Sequence, residues 1–182
     1  ITDFLAQNPA YNGVTIDFEG FVSSSYQEPF TAFLTELRTA LDSMGSYQLY
    51  CAVPPAKYYQ GYDYRAIGQV ADKVILMAHD YQWTSIPDSY VGTANTNSPV
   101  TPFASVYEAL RDITDKDTGV QDVSKIALAI SFGTAGFHVD EDGRILETTI
   151  YHPAMSTLAA RLNQSDTVVT YDAASRNPYA LY

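Results

Sequence analysis

Asp17 and Glu19 stand two positions apart at the end of Val14-Thr15-Ile16-Asp17-Phe18-Glu19, a run whose other members read as a buried strand. A strand places i and i+2 on one face, roughly 6.6 Å apart along the chain. Thr15, Asp17 and Glu19 are thus expected on one face, with Val14, Ile16 and Phe18 on the other. Two neighbouring carboxylates repel one another and resist desolvation, a combination suited to proton transfer or to holding a ligand. A solvated strand edge or a cation site would show the same spacing. Asn12-Gly13 before the run and Gly20 after it are turn signals, and they predict a strand over 13 to 19 with Glu19 as its last residue. In an α/β barrel, catalytic groups collect at the C-terminal ends of the strands.

The elements that would position these acids follow a strand-then-helix order. Strands are expected at 13 to 19, 47 to 53, 73 to 79 and 125 to 132. Phe30, Phe33, Leu34, Leu37, Leu41 and Met44 draw one apolar stripe at helical spacing, with Pro29 in the first turn and Gly45 at the end. A short helix over 64 to 70 links the second and third strands. Phe103, Val106, Leu110 and Ile113 repeat the helical period behind Thr101-Pro102. Such alternation implies an α/β fold with a parallel sheet, either a barrel or a doubly wound sheet. Trp83 to Pro102 reads as a long loop at the rim of a site. Asp140-Glu141-Asp142-Gly143-Arg144 reads as a hairpin turn between arms at 137 to 139 and 145 to 150. Pro153 opens a short helix carrying Met155, Leu158, Ala159 and Leu162, and Val168 to Tyr171 forms a last strand.

Asn12-Gly13-Val14-Thr15-Ile16-Asp17-Phe18-Glu19 resembles the Asp-Gly-x-Asp-x-Asp-x-Glu signature of glycoside hydrolase family 18, the chitinase-like enzymes. Met77-Ala78-His79-Asp80-Tyr81 is similar to that family's Met-x-Tyr-Asp motif on its sixth strand. Thr170-Tyr171-Asp172 and Asn177-Pro178-Tyr179 resemble the branch that holds spore-cortex and other peptidoglycan-directed glucosaminidases. Asn12 and Thr15 depart from the signature's first two Asp, and His79 stands where the family has Tyr.

The resemblance implies a single fragment, 1–182, of a catalytic (β/α)8 TIM barrel, roughly strands four to seven with their helices plus a small hairpin and helix insertion. The missing strands would come from a longer chain or a partner. It implies retaining hydrolysis of β-1,4 bonds in N-acetylglucosamine polymers, peptidoglycan or chitin, with the substrate's own acetamido oxygen as nucleophile. Glu19 would be the acid and then the base; Asp17 would orient the acetamido group; His79 and Asp80 would contact the same sugar. Thr15 can still donate a hydrogen bond to Asp17. Tyr81 and Trp83 are candidates for sugar stacking, though Trp83 could equally anchor its loop, and Met77 for the floor. A catalytically silent, carbohydrate-binding relative is the alternative, motivated by Asn12, Thr15 and His79. A metal-dependent barrel using Asp17, Glu19 and Asp80 is a third reading.

The 182 residues, 46% hydrophobic and 17% charged, suit one domain with a sizeable core. A net charge of −11 argues against nucleic-acid binding. Nothing is long and apolar enough to span a membrane. Aromatic residues make 13% of the chain, which is compatible with sugar faces packing on rings. Cys51 reads as a small buried hydrophobe, and His138 and His152, with no ligand spacing, as structural or surface residues. No cofactor or metal is expected. Ile1 to Ala6 carries no secretory leader and reads as a helix entering the first strand, so the chain is expected to begin inside a larger fold. A secreted or wall-associated location follows from the resemblance alone.

Overall fold

The computed structural model describes residues 1–94 and 98–182. These group into two compact units, 1–78 with 107–129, and 79–106 with 130–182.

The first unit is built on four parallel strands in the order β1 (Gly13–Ile16), β2 (Gln48–Val53), β3 (Lys73–Met77) and β4 (Ile126–Ala129). Ile16, Cys51, Val74 and Ile126 align across the sheet, as do Val53, Leu76 and Leu128. On this face Ile16, Cys51, Val53, Val74 and Leu76 are buried. Helix α1 (Thr2–Gln7) leads into β1, and α2 (Gln27–Met44) and α3 (Tyr64–Val70) connect the first three strands. The apolar stripe of α2 buries Phe30, Leu34, Leu37 and Leu41. The opposite face carries the aligned Thr15, Tyr50 and Lys73, and the aligned Ala52, Ile75 and Ala127. There Thr15 is exposed and Tyr50, Ile75 and Met77 are half-buried. The first face is buried over β2 and β3 while Leu128 of β4 stays exposed on it; the opposite face keeps access to solvent.

Local chemistry sets the boundaries. Pro29 is the third residue of α2, where its missing N–H costs no helical bond. Gly45 stops the helix at φ +140°, its N–H bonding the Leu41 carbonyl. Asp72 accepts from the Leu49 N–H at 2.8 Å and from Arg38 Nη1 at 3.0 Å, while Arg38 Nη2 donates to the Tyr47 carbonyl at 2.9 Å, so α2, β2 and the start of β3 are tied together. Lys125 Nζ donates to the Gly68 and Ala71 carbonyls, both at 2.9 Å, at the C-terminal end of α3.

Three strand ends fall short of the sequence expectation, β3 stopping at Met77 before the expected 79. β1 stops at Ile16, its last partner being Cys51, so Asp17 to Glu19 lie beyond the ladder. Gly20 turns the chain at φ +87°, and the Phe18 ring packs on Phe33 and Phe30 of α2, with centroids 5.5 and 6.2 Å away. Leaving the ladder frees Phe18 for that contact. β4 likewise ends at Ala129, before the expected 132.

In the link from α4 (Phe103–Ile113) to β4, Asp115 accepts the N–H groups of Asp117 and Thr118, both at 2.9 Å, and the Thr118 hydroxyl at 3.0 Å. Asp122 accepts the Ser124 hydroxyl at 2.6 Å and its N–H at 3.0 Å. The Asp117 N–H first, then those of Thr118, hold Asp115 below the usual carboxylate range, and the Ser124 hydroxyl does the same for Asp122. A depressed folded pKa contributes stability present above the unfolded value and lost as pH falls through the folded one. Acidification below about pH 4 is therefore expected to loosen this link. Protection of the Thr118 and Ser124 amides, corrected for intrinsic exchange, should fall over that range; a flat profile contradicts it.

The second unit is mostly irregular. Residues 81–94 and 136–151 are cross-linked by Ile86 N–H to Thr148, Gly92 N–H to Ile145 and Ile145 N–H to Thr93 carbonyls, around the buried Ile86 and Ile145. The expected hairpin arms reduce to single bridges, Val139 with Ile145 and Gly136 with Tyr151. Helix α5 (Met155–Arg161) follows, then an antiparallel pair, β5 (Val168–Asp172) and β6 (Asn177–Leu181). Asn177 accepts the Phe103 N–H at 2.8 Å and donates to the Thr101 carbonyl at 3.1 Å, satisfying the N-terminus of α4. Among the described residues, no helix is long and apolar enough to cross a membrane.

Candidate active site

Asp17 and Glu19 lie on the turn that leaves β1, and both are exposed. Neither is sealed beneath packed side chains. Their charges are felt nearby: burial pushes the Cys51 thiol up to about 12, with Asp17 adding to the effect. Burial also raises the Tyr62 hydroxyl, and Glu19 contributes in the same direction.

Because the turn lacks ladder bonds, other groups must fix it, and these come from the turn itself and from the segment between β2 and α3. The Tyr62 hydroxyl donates to the Phe18 carbonyl at 2.6 Å. The Gly61 N–H donates to the Phe21 carbonyl at 2.9 Å, and the Val22 N–H to the Gly20 carbonyl at 2.9 Å. A Cβ on Gly61 would sit 2.5 Å from Phe21 Cβ and 2.6 Å from its carbonyl oxygen, so only glycine permits this approach. The Phe21 ring lies between Tyr26 and Tyr62, at centroid distances of 5.0 and 5.4 Å. Gly61 and Tyr62 were not singled out by sequence reasoning. An isolated Gly-Tyr pair in a connecting segment carries no periodic signal; the next residue, Asp63, accepts the Ala66 N–H at 2.9 Å and caps α3.

Met77, half-buried, is the last residue of β3 and aligns with Ala129. It belongs with Asp17 and Glu19 to the first unit, while His79, Asp80, Tyr81 and Trp83 belong to the second. His79 Nδ1 and Asp80 Oδ2 are 2.7 Å apart, which orients the imidazole and leaves Nε2 as its other polar edge. Asp80 adopts φ +58°, a left-handed conformation it shares, among described non-glycine residues, only with Arg176. Such backbone costs free energy and clusters at functional positions, although Asp tolerates it better than most residues. The Tyr81 N–H donates to the Val100 carbonyl at 3.1 Å. Trp83 donates its backbone N–H to Ser98 Oγ at 2.8 Å and packs its ring 5.0 Å from Tyr90, so it also braces its own loop.

The other histidines have local partners. His138 Nδ1 lies 2.7 Å from Glu147 Oε1 and its ring stacks on Tyr151, while His152 Nδ1 lies 2.8 Å from the Thr134 carbonyl. The Tyr151 hydroxyl, donating at 2.9 Å, is the first cause holding Glu147 below the carboxylate range. Among the described residues no three His, Cys, Asp or Glu side chains are grouped to hold a metal ion. An open groove of about 740 Å³ on the first unit is lined by Gln27, Gln60, Asp63, Arg65 and Asp115, none of them a sequence-selected residue. Those groups are spent on local structure, Gln27 on the Gln60 carbonyl, Arg65 on Asp117, and Asp63 and Asp115 on backbone N–H groups.

The family model for glycosyl hydrolases family 18 matches residues 1–182. The "Putative sporulation-specific glycosylase YdhD" of Bacillus subtilis (strain 168) is 42% identical over 82 residues, 42% of this chain and 19% of that protein. Its crystal structure matches with a TM-score of 0.69 at 24% identity, over 97% of this chain and 55% of that one. The cortical fragment-lytic enzyme of Bacillus anthracis is 28% identical over 117 residues, 59% of this chain and 25% of the relative. A family 18 N-acetylglucosaminidase from Paenibacillus barengoltzii matches in structure with a TM-score of 0.67 at 22% identity, over 98% of this chain and 58% of that one. The chain thus spans little more than half of these solved structures, and its alignments reach a quarter or less of the curated relatives. The structural matches agree with the observed α/β architecture.

Proposed function

The chain belongs to glycosyl hydrolase family 18, and on that premise we propose that the full-length protein is a retaining glycosidase that cleaves β-1,4 bonds of an N-acetylglucosamine polymer by substrate-assisted catalysis. The observation that carries this reading is the exposed pair Asp17 and Glu19 on the turn directly after a strand of a parallel sheet. Glu19 donates its proton to the glycosidic oxygen as the bond to the anomeric carbon breaks. The acetamido oxygen of the same sugar attacks that carbon from the opposite face and closes an oxazolinium ring. Asp17 accepts the acetamido N–H, orients the group for attack and offsets the positive charge of the ring. Glu19, now a carboxylate, takes a proton from water, which opens the ring with net retention. The resemblance assigns His79 and Asp80 to contacts with the amino sugar; Tyr81 and Trp83 are the candidates for stacking on its apolar faces, and Met77 packs in the floor. No cofactor enters any step.

In the same reading, β1 to β4 are the fourth to seventh strands of an eight-stranded barrel, residues 1–182 are one fragment of it, and the remainder of the protein supplies the other strands. Peptidoglycan is preferred to chitin, supported by the cortical fragment-lytic relatives. Action at the spore cortex or outside the cell follows from that preference.

The test is hydrolysis by the full-length protein of purified cortex peptidoglycan and of chitin, followed by reducing-end release, with NMR of the newly formed anomeric centre. Release from peptidoglycan with the β anomer formed first is expected. An inverted product refutes the mechanism, and no release from either polymer refutes the enzyme. A second reading, a silent glycan-binding relative, is favoured by Asn12, Thr15 and His79 at signature positions.

A further inference from the structure

We propose that Tyr62 is a positioning residue for Glu19, its hydroxyl fixing the peptide unit on which the acid is mounted. The inference rests on the reading of Glu19 as the proton donor. Phe18 and Glu19 share one peptide bond, and the oxygen of that bond is the acceptor of the Tyr62 hydroxyl at 2.6 Å. β1 has left its ladder two residues earlier, so no strand partner orients this peptide. Without the hydroxyl, rotation about the flanking φ and ψ angles would swing the Glu19 carboxyl.

Tyr62 is suited to the task. It is 4% exposed. Its ring is held 5.4 Å from Phe21 and edge-on to Phe30 at 5.6 Å. Its backbone lies between Gly61, bonded to the Phe21 carbonyl, and Asp63, the N-cap of α3. The turn bearing Glu19 is therefore referenced to a helix terminus on a different connection of the sheet.

Tyr62→Phe removes the donor and keeps the ring. Tyr64→Phe is the matched control, because the Tyr64 hydroxyl is also buried and donates to a backbone carbonyl, that of Pro54, at 2.6 Å. In the full-length protein, Tyr62→Phe is expected to lower kcat by about tenfold with KM within twofold, since small displacements of a catalytic group are costly. Tyr64→Phe should lower Tm by a similar amount and leave kcat unchanged. Exchange of the Val22 and Gly61 amides should quicken in Tyr62→Phe alone, a readout of the anchor that does not depend on turnover. Equal effects of the two variants on kcat, or wild-type kcat and wild-type exchange in Tyr62→Phe, would overturn the inference. Full activity in Glu19→Gln would instead overturn the reading of Glu19, whatever Tyr62 does.

Discussion

Glu19→Gln is expected to lower kcat for polymer cleavage by about a thousandfold while glycan binding persists. The amide matches the carboxyl in shape but has no acidic proton to give to the departing oxygen and cannot accept one from water. Glu19 is exposed on its turn, so the change removes no core packing and should leave the protein folded. The loss should depend on the leaving group. An aryl glycoside whose phenol departs without protonation needs no acid in the first step, so its deficit should shrink to that of the second. Kinetics on a polymer, a simple aryl chitobioside and a dinitrophenyl analogue read this gradient. Equal activity of wild type and variant on the polymer removes Glu19 from the mechanism. If neither turns over while both bind glycan, the silent-relative reading stands in its place.

Asp17→Asn is expected to lower kcat by about a hundredfold. Asparagine can still accept the acetamido N–H through its carbonyl oxygen, so orientation is partly kept. What goes is the negative charge facing the oxazolinium ring, and that charge acts chiefly in the transition state. KM should therefore change little while kcat falls. A stable thiazoline mimic of the cyclic intermediate should lose affinity in proportion. Undiminished binding of the mimic would show that Asp17 acts by another route.

Much of this architecture was legible because burial writes a period into the chain. The stripe Phe30, Leu34, Leu37 and Leu41 marked α2, and the apolar runs at Leu49 to Val53 and Val74 to Met77 marked two strands. The ends were less legible, since a strand stops when its partner does, and the loss of pairing after Ile16 and Cys51 is a tertiary event. β6 was missed because Pro178 lacks an N–H and breaks the strand pattern, although in a two-stranded pair it can face outward. Asp17 and Glu19 announced themselves as charges in an apolar context. Tyr62 did not, because a tyrosine beside a turn looks the same whether its hydroxyl meets water or a carbonyl 44 residues away in the chain.

The chain's one cysteine gives it a practical asset. Cys51 is 0% exposed and its thiol is pushed up to about 12, so at neutral pH it offers neither access nor thiolate to maleimides, peroxide or foreign disulfides. A fluorophore or spin label can therefore be attached at an introduced surface position such as Tyr11→Cys with no need to delete the native sulfur.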